Sequence, residues 1–139
     1  MRWKKTLTKF YKKFKLVVYK NMFSKIKDEE TLTSSEYLCL ECIYLMDKPT
    51  VTEFANFLDI SSPNATYKVK QLIKKGFISK EKSEKDGREF LLVPTEKFFE
   101  LYHQKEEKMV VNDVKKKLDK KESKKFDKIL RLLEGSEEI

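Results

Sequence analysis

Residues 50–95 read TVTEFANFLDISSPNATYKVKQLIKKGFISKEKSEKDGREFLLVPT. Thr50 followed three residues later by Glu53 is a capping box, in which hydroxyl and carboxylate satisfy the open N–H groups of a helix start. Val51, Phe54, Ala55 and Leu58 then recur at helical spacing and face inward. This short helix stops within Asp59-Ile60, and another begins at once behind Ser61-Ser62-Pro63. Either serine can cap it, and proline is tolerated in a first turn, where its missing N–H is not needed. Ala65, Val69 and Leu72 form the inner stripe of the second helix. It ends at Lys75-Gly76, with glycine where a left-handed C-terminal cap is wanted. Two short helices joined by a turn of a few residues have the layout of a helix-turn-helix. Two β-segments follow, Phe77 to Lys82 and Glu89 to Val93, around the polar turn Ser83-Glu84-Lys85-Asp86-Gly87-Arg88, and Pro94 closes the second. Such a ribbon is marginal by itself and needs the preceding helices to pack on.

Upstream, Thr33 with Glu36 makes another capping box, and Leu32 with Tyr37 can staple it. That helix runs through Leu38, Cys42, Leu45 and Met46, with Leu40, Ile43 and Tyr44 on other faces. Apolar on several sides, it is expected to be central and nearly surrounded. Residues 1–27 contain ten Lys or Arg and no acid. Trp3, Leu7, Phe10, Phe14 and Val17 form a heptad-like stripe there, and Val18, Met22 and Ile26 carry an apolar edge onward. Two readings are open: a basic helix burying its aromatic face against the body or a partner subunit, or a helix lying in a membrane surface. Downstream of Thr95 the chain reads helical through Phe98, Leu101 or Tyr102, Met109, Val110, Val114 and Leu118. Asp119 with Glu122 then caps a last helix containing Phe126, Ile129, Leu130 and Leu133, which ends at Gly135.

The 139 residues are one domain's worth of chain, with a net charge of +8. This balance fits a polyanion, either nucleic acid or an anionic membrane surface. No run of about 18 apolar residues occurs, so no stable membrane insertion is expected. The N-terminus lacks a secretory signal pattern, and two cysteines are too few for a disulfide framework, so a reducing cytoplasm is the default. There is no glycine-rich phosphate loop, no metal-ligand cluster and no nucleophile paired with a histidine. An enzyme is not expected, and no cofactor is implied.

With Ala65, Val69 and Leu72 fixing the inner face of the second helix, Pro63, Tyr67, Lys70 and Lys74 fall outward, flanked by Asn64, Thr66 and Gln71. Asn64 can pair bidentately with adenine, and the Thr66 methyl and Tyr67 ring can touch thymine methyls. Lys70 and Lys74 suit phosphates, and the helix start with Ser61 and Ser62 offers a further phosphate seat. The plain alternative is an ordinary solvated face. On the ribbon tip, with Lys85 and Gly87, Arg88 can enter a narrow A·T-rich minor groove, with Asp86 close enough to orient its guanidinium.

Taken together, Val51-Thr52-Glu53-Phe54-Ala55, Leu58, Ile60-Ser61, Leu72 to Ile78, Asp86-Gly87-Arg88 and Pro94-Thr95 resemble the MarR family of bacterial transcriptional regulators. The resemblance implies a mainly α fold with a small β-wing, in which a winged helix-turn-helix at 33–95 joins dimerisation helices at 1–30 and 96–135. It also implies a homodimer that binds double-stranded DNA at a near-palindromic operator, usually as a repressor. By position, Pro63, Asn64, Thr66, Tyr67 and Lys70 fall in the recognition helix, and Arg88 is the wing arginine with Asp86 its partner. The family commonly has glycine three residues after the threonine that follows the second strand, where this chain has Phe98.

Regulators of this type often respond to a signal. Cys39 and Cys42 lie three apart on one helix and are candidates for redox sensing, against the reading that they are small buried apolar residues. A metal would need further ligands, and His103 is the only histidine, so no metal site is assigned. A small-molecule effector could sit between the dimerisation helices and the winged unit, near Tyr37, Tyr44 and Phe14. The competing function is a membrane-surface or protein-interaction module working through the basic first helix.

Overall fold

The chain runs α1 (Arg2–Asp28), α2 (Ser34–Leu45), α3 (Val51–Leu58), α4 (Ser62–Lys74), β1 (Ile78–Lys82), β2 (Phe90–Pro94), α5 (Glu96–Leu101) and α6 (Lys120–Glu134), with a further helical stretch at 112–117. This is a computed structural model and describes residues 1–28, 32–85, 87–102 and 112–135. It divides into two compact units, Met1–His103 and Gln104–Ile139. His103, Met109, Val110 and Asp86, all read from sequence above, lie outside the described residues.

Local capping decides where three helices start. Thr33 Oγ1 accepts the Glu36 N–H at 3.1 Å while Glu36 Oε1 accepts the Thr33 N–H at 3.0 Å. Thr50 and Glu53 repeat the exchange at 3.1 and 3.5 Å, and Asp119 and Glu122 at 2.8 and 3.1 Å. Each box satisfies two donors that the helix leaves open.

The core of the first unit is assembled from one face of each element. Tyr37, Leu40 and Ile43 of α2 meet Phe54 and Ala55 of α3, Ala65, Val69 and Leu72 of α4, and Phe77, Ile78, Leu92 and Phe98. Each large side chain buried this fully contributes about 1.5–3 kcal/mol. The inner face of α2 is therefore Tyr37, Leu40 and Ile43, not the Leu38, Cys42 and Leu45 row. Leu38 and Leu45 are 48% and 63% exposed, so within one chain α2 is not surrounded. On a helix with apolar residues on every side, periodicity cannot choose the face; the neighbours do.

β1 and β2 pair antiparallel from Ile78↔Pro94 to Lys82↔Phe90. Phe77 is not part of the strand but faces the core, and Pro94 lies within β2, where a ribbon edge tolerates its missing N–H. The Leu92 N–H donates to Pro49 O at 2.8 Å, and Thr50 bridges Leu91, tying the ribbon to the start of α3. α5 starts behind Thr95, and Phe98 is fully buried where a glycine is usual in the resembling family.

α1 packs on the body through its C-terminal half, with Met22 buried and Val18 and Ile26 packed beside it. Residues 1–16 are exposed throughout, including the Trp3, Leu7, Phe10 and Phe14 stripe. In the second unit α6 buries none of its residues, and Phe126, Ile129, Leu130 and Leu133 are exposed. Among the described residues no helix is long and apolar enough to cross a membrane.

Candidate nucleic-acid interface

The turn between α3 and α4 is closed by backbone geometry. Asp59 adopts a left-handed conformation (φ 53°), and the N–H groups of Asp59 and Ile60 donate back to Asn56 O and Ala55 O at 3.2 and 3.1 Å. This is the Schellman pattern, with aspartate in place of glycine. Ser61 then caps α4, its Oγ accepting the Asn64 N–H at 3.2 Å. Pro63 has no N–H and the Asn64 N–H is taken by Ser61 Oγ, so the donors at this helix start include the Ser62 N–H and the hydroxyls of Ser61 and Ser62. The other end of α4 repeats the device: Gly76 has φ +85°, its N–H reaches Ile73 O, and the Phe77 N–H reaches Leu72 O, both at 3.0 Å. The recognition-helix candidate is thus stopped cleanly at both ends by its own sequence.

Ala65, Val69 and Leu72 are buried as expected, which rotates the opposite row outward. Pro63, Asn64, Tyr67, Lys70 and Lys74 are exposed, Tyr67 at 64%, and Thr66 and Gln71 flank them half-buried. Lys70 and Lys74, one turn apart, form no ion pair among the described residues. The structure therefore gathers Ser61, Ser62, Pro63, Asn64, Thr66, Tyr67, Lys70, Gln71 and Lys74 on one element with one open face. Lys85 and Arg88 are exposed on the wing. A shallow groove of about 210 Å³ beside the start of α3 is lined by Thr50, Val51, Thr52, Lys80, Arg88, Glu89 and Phe90. The expected contact of Asp86 with Arg88 lies outside the described residues.

Sequence reading missed how α4 is held from behind. Lys75, its C-cap residue, pairs with Glu36 at 2.8 Å, both side chains being largely buried. Lys68 Nζ donates to Ser35 Oγ at 3.3 Å. Lys97 Nζ donates to Lys75 O at 2.8 Å and Thr95 Oγ1 to Gly76 O at 2.6 Å. Burial pushes the Glu36 carboxyl up, but hydrogen bonds from Lys75 and Thr33 and the Lys75 charge outweigh it and hold the group below its ordinary value. The partners that α4 and its end find in α2 and around α5 lie 19 to 39 positions away, beyond the reach of any local pattern.

The environments of the sensor candidates Cys39 and Cys42 disfavour the thiolate. Cys39 is buried and Cys42 half-buried. Burial pushes both thiols up, only partly offset at Cys39 by the Lys68 charge and a Ser35 hydrogen bond; at Cys42 the neighbouring Cys39 and Glu41 push the same way. The neutral thiol, the less reactive form, is favoured. Among the described residues no cluster of three metal-ligating side chains occurs. Tyr37 is fully buried in the core, Tyr44 packs on Phe98, Phe99 and Tyr102, and Phe14 lies on the exposed part of α1, so a single chain does not join the three into a cleft.

Charge is distributed unevenly. Residues 32–95 hold nine Lys or Arg and nine Asp or Glu, so the winged unit is neutral. α1 alone carries ten Lys or Arg against Asp28.

The sequence pattern of the MarR family matches residues 32–90. Among solved structures, a transcriptional regulator from Thermotoga maritima is similar with a TM-score of 0.57 at 21% identity, over 92% of this chain and 93% of its own. A MarR protein from Peptoclostridium difficile gives 0.52 at 23%, over 90% and 84%. A mutant of S. aureus MepR, solved bound to an oligodeoxyribonucleotide, gives 0.53 at 16%, over 91% and 96%. At these identities the likeness is one of fold. No curated protein matches the chain. The winged helix-turn-helix at residues 32–90 therefore matches the pattern of the MarR family, and the chain shares the fold of these solved structures.

Proposed function

We propose that this chain is a sequence-specific double-stranded DNA-binding regulator that acts as a homodimeric repressor on a near-palindromic operator. The observation that carries the reading is the open outer row of α4, stopped at both ends and fixed from behind by Ala65, Val69 and Leu72. In this reading α4 enters the major groove. Asn64 and Gln71 take base edges, Thr66 and Tyr67 take thymine methyls, Ser61, Ser62 and Pro63 shape the phosphate-facing start, and Lys70 and Lys74 take phosphates. Arg88 of the wing enters the minor groove, with Asp86 orienting it and Lys85 on the adjoining backbone. The uncovered apolar faces of α1 and α6 support a second copy of the chain as partner. Twofold symmetry would then set the two recognition helices about 34–36 Å apart.

Selection of bound duplexes from a random pool tests the proposal. A recovered inverted repeat with half-sites one helical turn apart is the expected product. Unenriched pools after repeated rounds would overturn it.

One observation favours a second reading: residues 1–16 project as an exposed helix rich in lysine and aromatic side chains. Such a helix also suits an anionic membrane surface or an acidic protein. Substituting Arg88 and Tyr67 separates the two. A DNA reader loses its duplex, whereas binding through α1 to anionic vesicles is unchanged.

A further inference from the structure

We infer that Glu36 is a positioning residue for DNA reading: from the first turn of α2 it sets the roll of α4 through Lys75, without facing the nucleic acid. The inference rests on the proposed role of α4 as the recognition helix.

α4 is gripped along one flank. Lys68 and Lys75 are seven residues apart, so they lie on the same side of the helix about 10 Å from each other along its axis. Both are tied to consecutive residues of α2, Lys68 to Ser35 at 3.3 Å and Lys75 to Glu36 at 2.8 Å. The inner stripe of Ala65, Val69 and Leu72 is a row of small and medium apolar groups. Apolar contact of this kind is non-directional, so it resists separation of the helices better than it resists rolling. The two polar ties are directional, and they stand to one side of the stripe, where they oppose a roll.

The stronger tie is built to be stiff. Glu36 is anchored by its own cap, since Oε1 also accepts the Thr33 N–H at 3.0 Å. Lys75 is the C-cap of α4, and its carbonyl is held independently by Lys97 at 2.8 Å. The Glu36 and Lys75 side chains are only 17% and 29% exposed, which limits screening by water.

A small roll is enough to matter. Side-chain tips sit about 6 Å from the helix axis, so a roll of about 10° displaces them by about 1 Å. Useful hydrogen bonds span only about half an ångström in length. Loss of one well-placed bidentate base contact corresponds to roughly a tenfold change in affinity for the preferred duplex.

The test compares the preferred duplex with a random-sequence duplex at fixed salt, at a temperature where circular dichroism shows every variant folded. Glu36→Gln keeps the volume and the acceptor for the Thr33 N–H but removes the charge. It also makes each subunit more positive, so general electrostatics alone would tighten binding to both duplexes. The expected result has the opposite sign for the preferred duplex: an affinity loss of about tenfold, with random-duplex binding unchanged or stronger. Lys75→Met should reproduce the loss of discrimination, and Lys75→Arg should keep it near that of the unaltered protein. Because Lys75→Met does not touch the cap, it carries the test if Glu36→Gln fails to fold.

Parallel tightening of both duplexes by Glu36→Gln would overturn the inference. So would an equal loss on both duplexes by Lys75→Met, which would make Lys75 a phosphate ligand. If the unaltered protein prefers no duplex, the DNA reading itself falls and Glu36 with it. If the preference exists and these variants leave it intact, only the positioning role falls.

Discussion

Replacing Lys70 and Lys74 together by glutamine tests whether α4 lies against phosphates, through a quantity that the structure lets us estimate. Both lysines are exposed on the outer row of α4, one turn apart and without an acidic partner among the described residues. Each phosphate neutralised by such a group contributes about −0.9 to the slope of log affinity against log salt. Two lysines on each of two recognition helices make four contacts, a slope change of about 3.6. Between about 50 and about 200 mM salt the unaltered protein should therefore lose roughly 150-fold more affinity than the double variant. A monomeric reader would show a change of only about 1.8, or roughly 12-fold, so the same titration reports stoichiometry. The winged unit is neutral with these two lysines counted, and the lysines of α1 are common to both proteins and drop out of the comparison. Fluorescence anisotropy on the selected duplex, repeated across the salt range, supplies both slopes. Preference for that duplex should be largely kept, because these lysines are assigned no base contacts. A slope change smaller than about one would refute the placement of α4 against the backbone.

Other consequences can be checked on the protein alone. Gly76→Ala should cost about 1 kcal/mol in urea unfolding. The added methyl would meet only Lys97 Cδ at an ordinary 3.7 Å, so the cost comes from φ +85° and not from a clash; an unchanged midpoint would contradict this. Removing residues 1–27 should leave a monomer or an aggregate by light scattering, and a stable dimer from that fragment would sink the assignment of α1 to the subunit interface. Because the Glu36 carboxyl is depressed in the folded chain, its contribution to stability is present above the ordinary value of 4.5 and lost as pH falls through the folded value. The unaltered protein should therefore lose more stability than Glu36→Gln on acidification through that range, and parallel curves would argue against the ion pair. Cys39 should react with a disulfide reagent more slowly than an unstructured cysteine at neutral pH, because burial pushes its thiol up; faster reaction would contradict this and support a redox role.

Much of the fold was legible because its signals are local. Thr33 with Glu36, Thr50 with Glu53 and Asp119 with Glu122 each act across three residues, and all three boxes form as read. Gly76 takes the left-handed conformation its position called for. The inner row of α4 was legible for the same reason, since only one face of that helix is apolar. α2 was not: apolar residues surround it, and only its neighbours select Tyr37, Leu40 and Ile43 over Leu38 and Leu45. The strand ends were misplaced by a residue because Phe77 belongs to the cap of α4, and Pro94 remains paired on a ribbon edge.

Sequence by itself determined the helix-turn-helix, its limits, the order of the elements and the outward row from Pro63 to Lys74. Those features follow from capping and periodicity, which depend on residues a few positions apart. Tertiary structure alone decided what stands behind that row. Lys75 meets Glu36 across 39 positions, Thr95 and Lys97 hold the end of α4, and Ser35 steadies Lys68. No spacing rule encodes such pairings, because they exist only once α2, α4 and the wing have packed on one core.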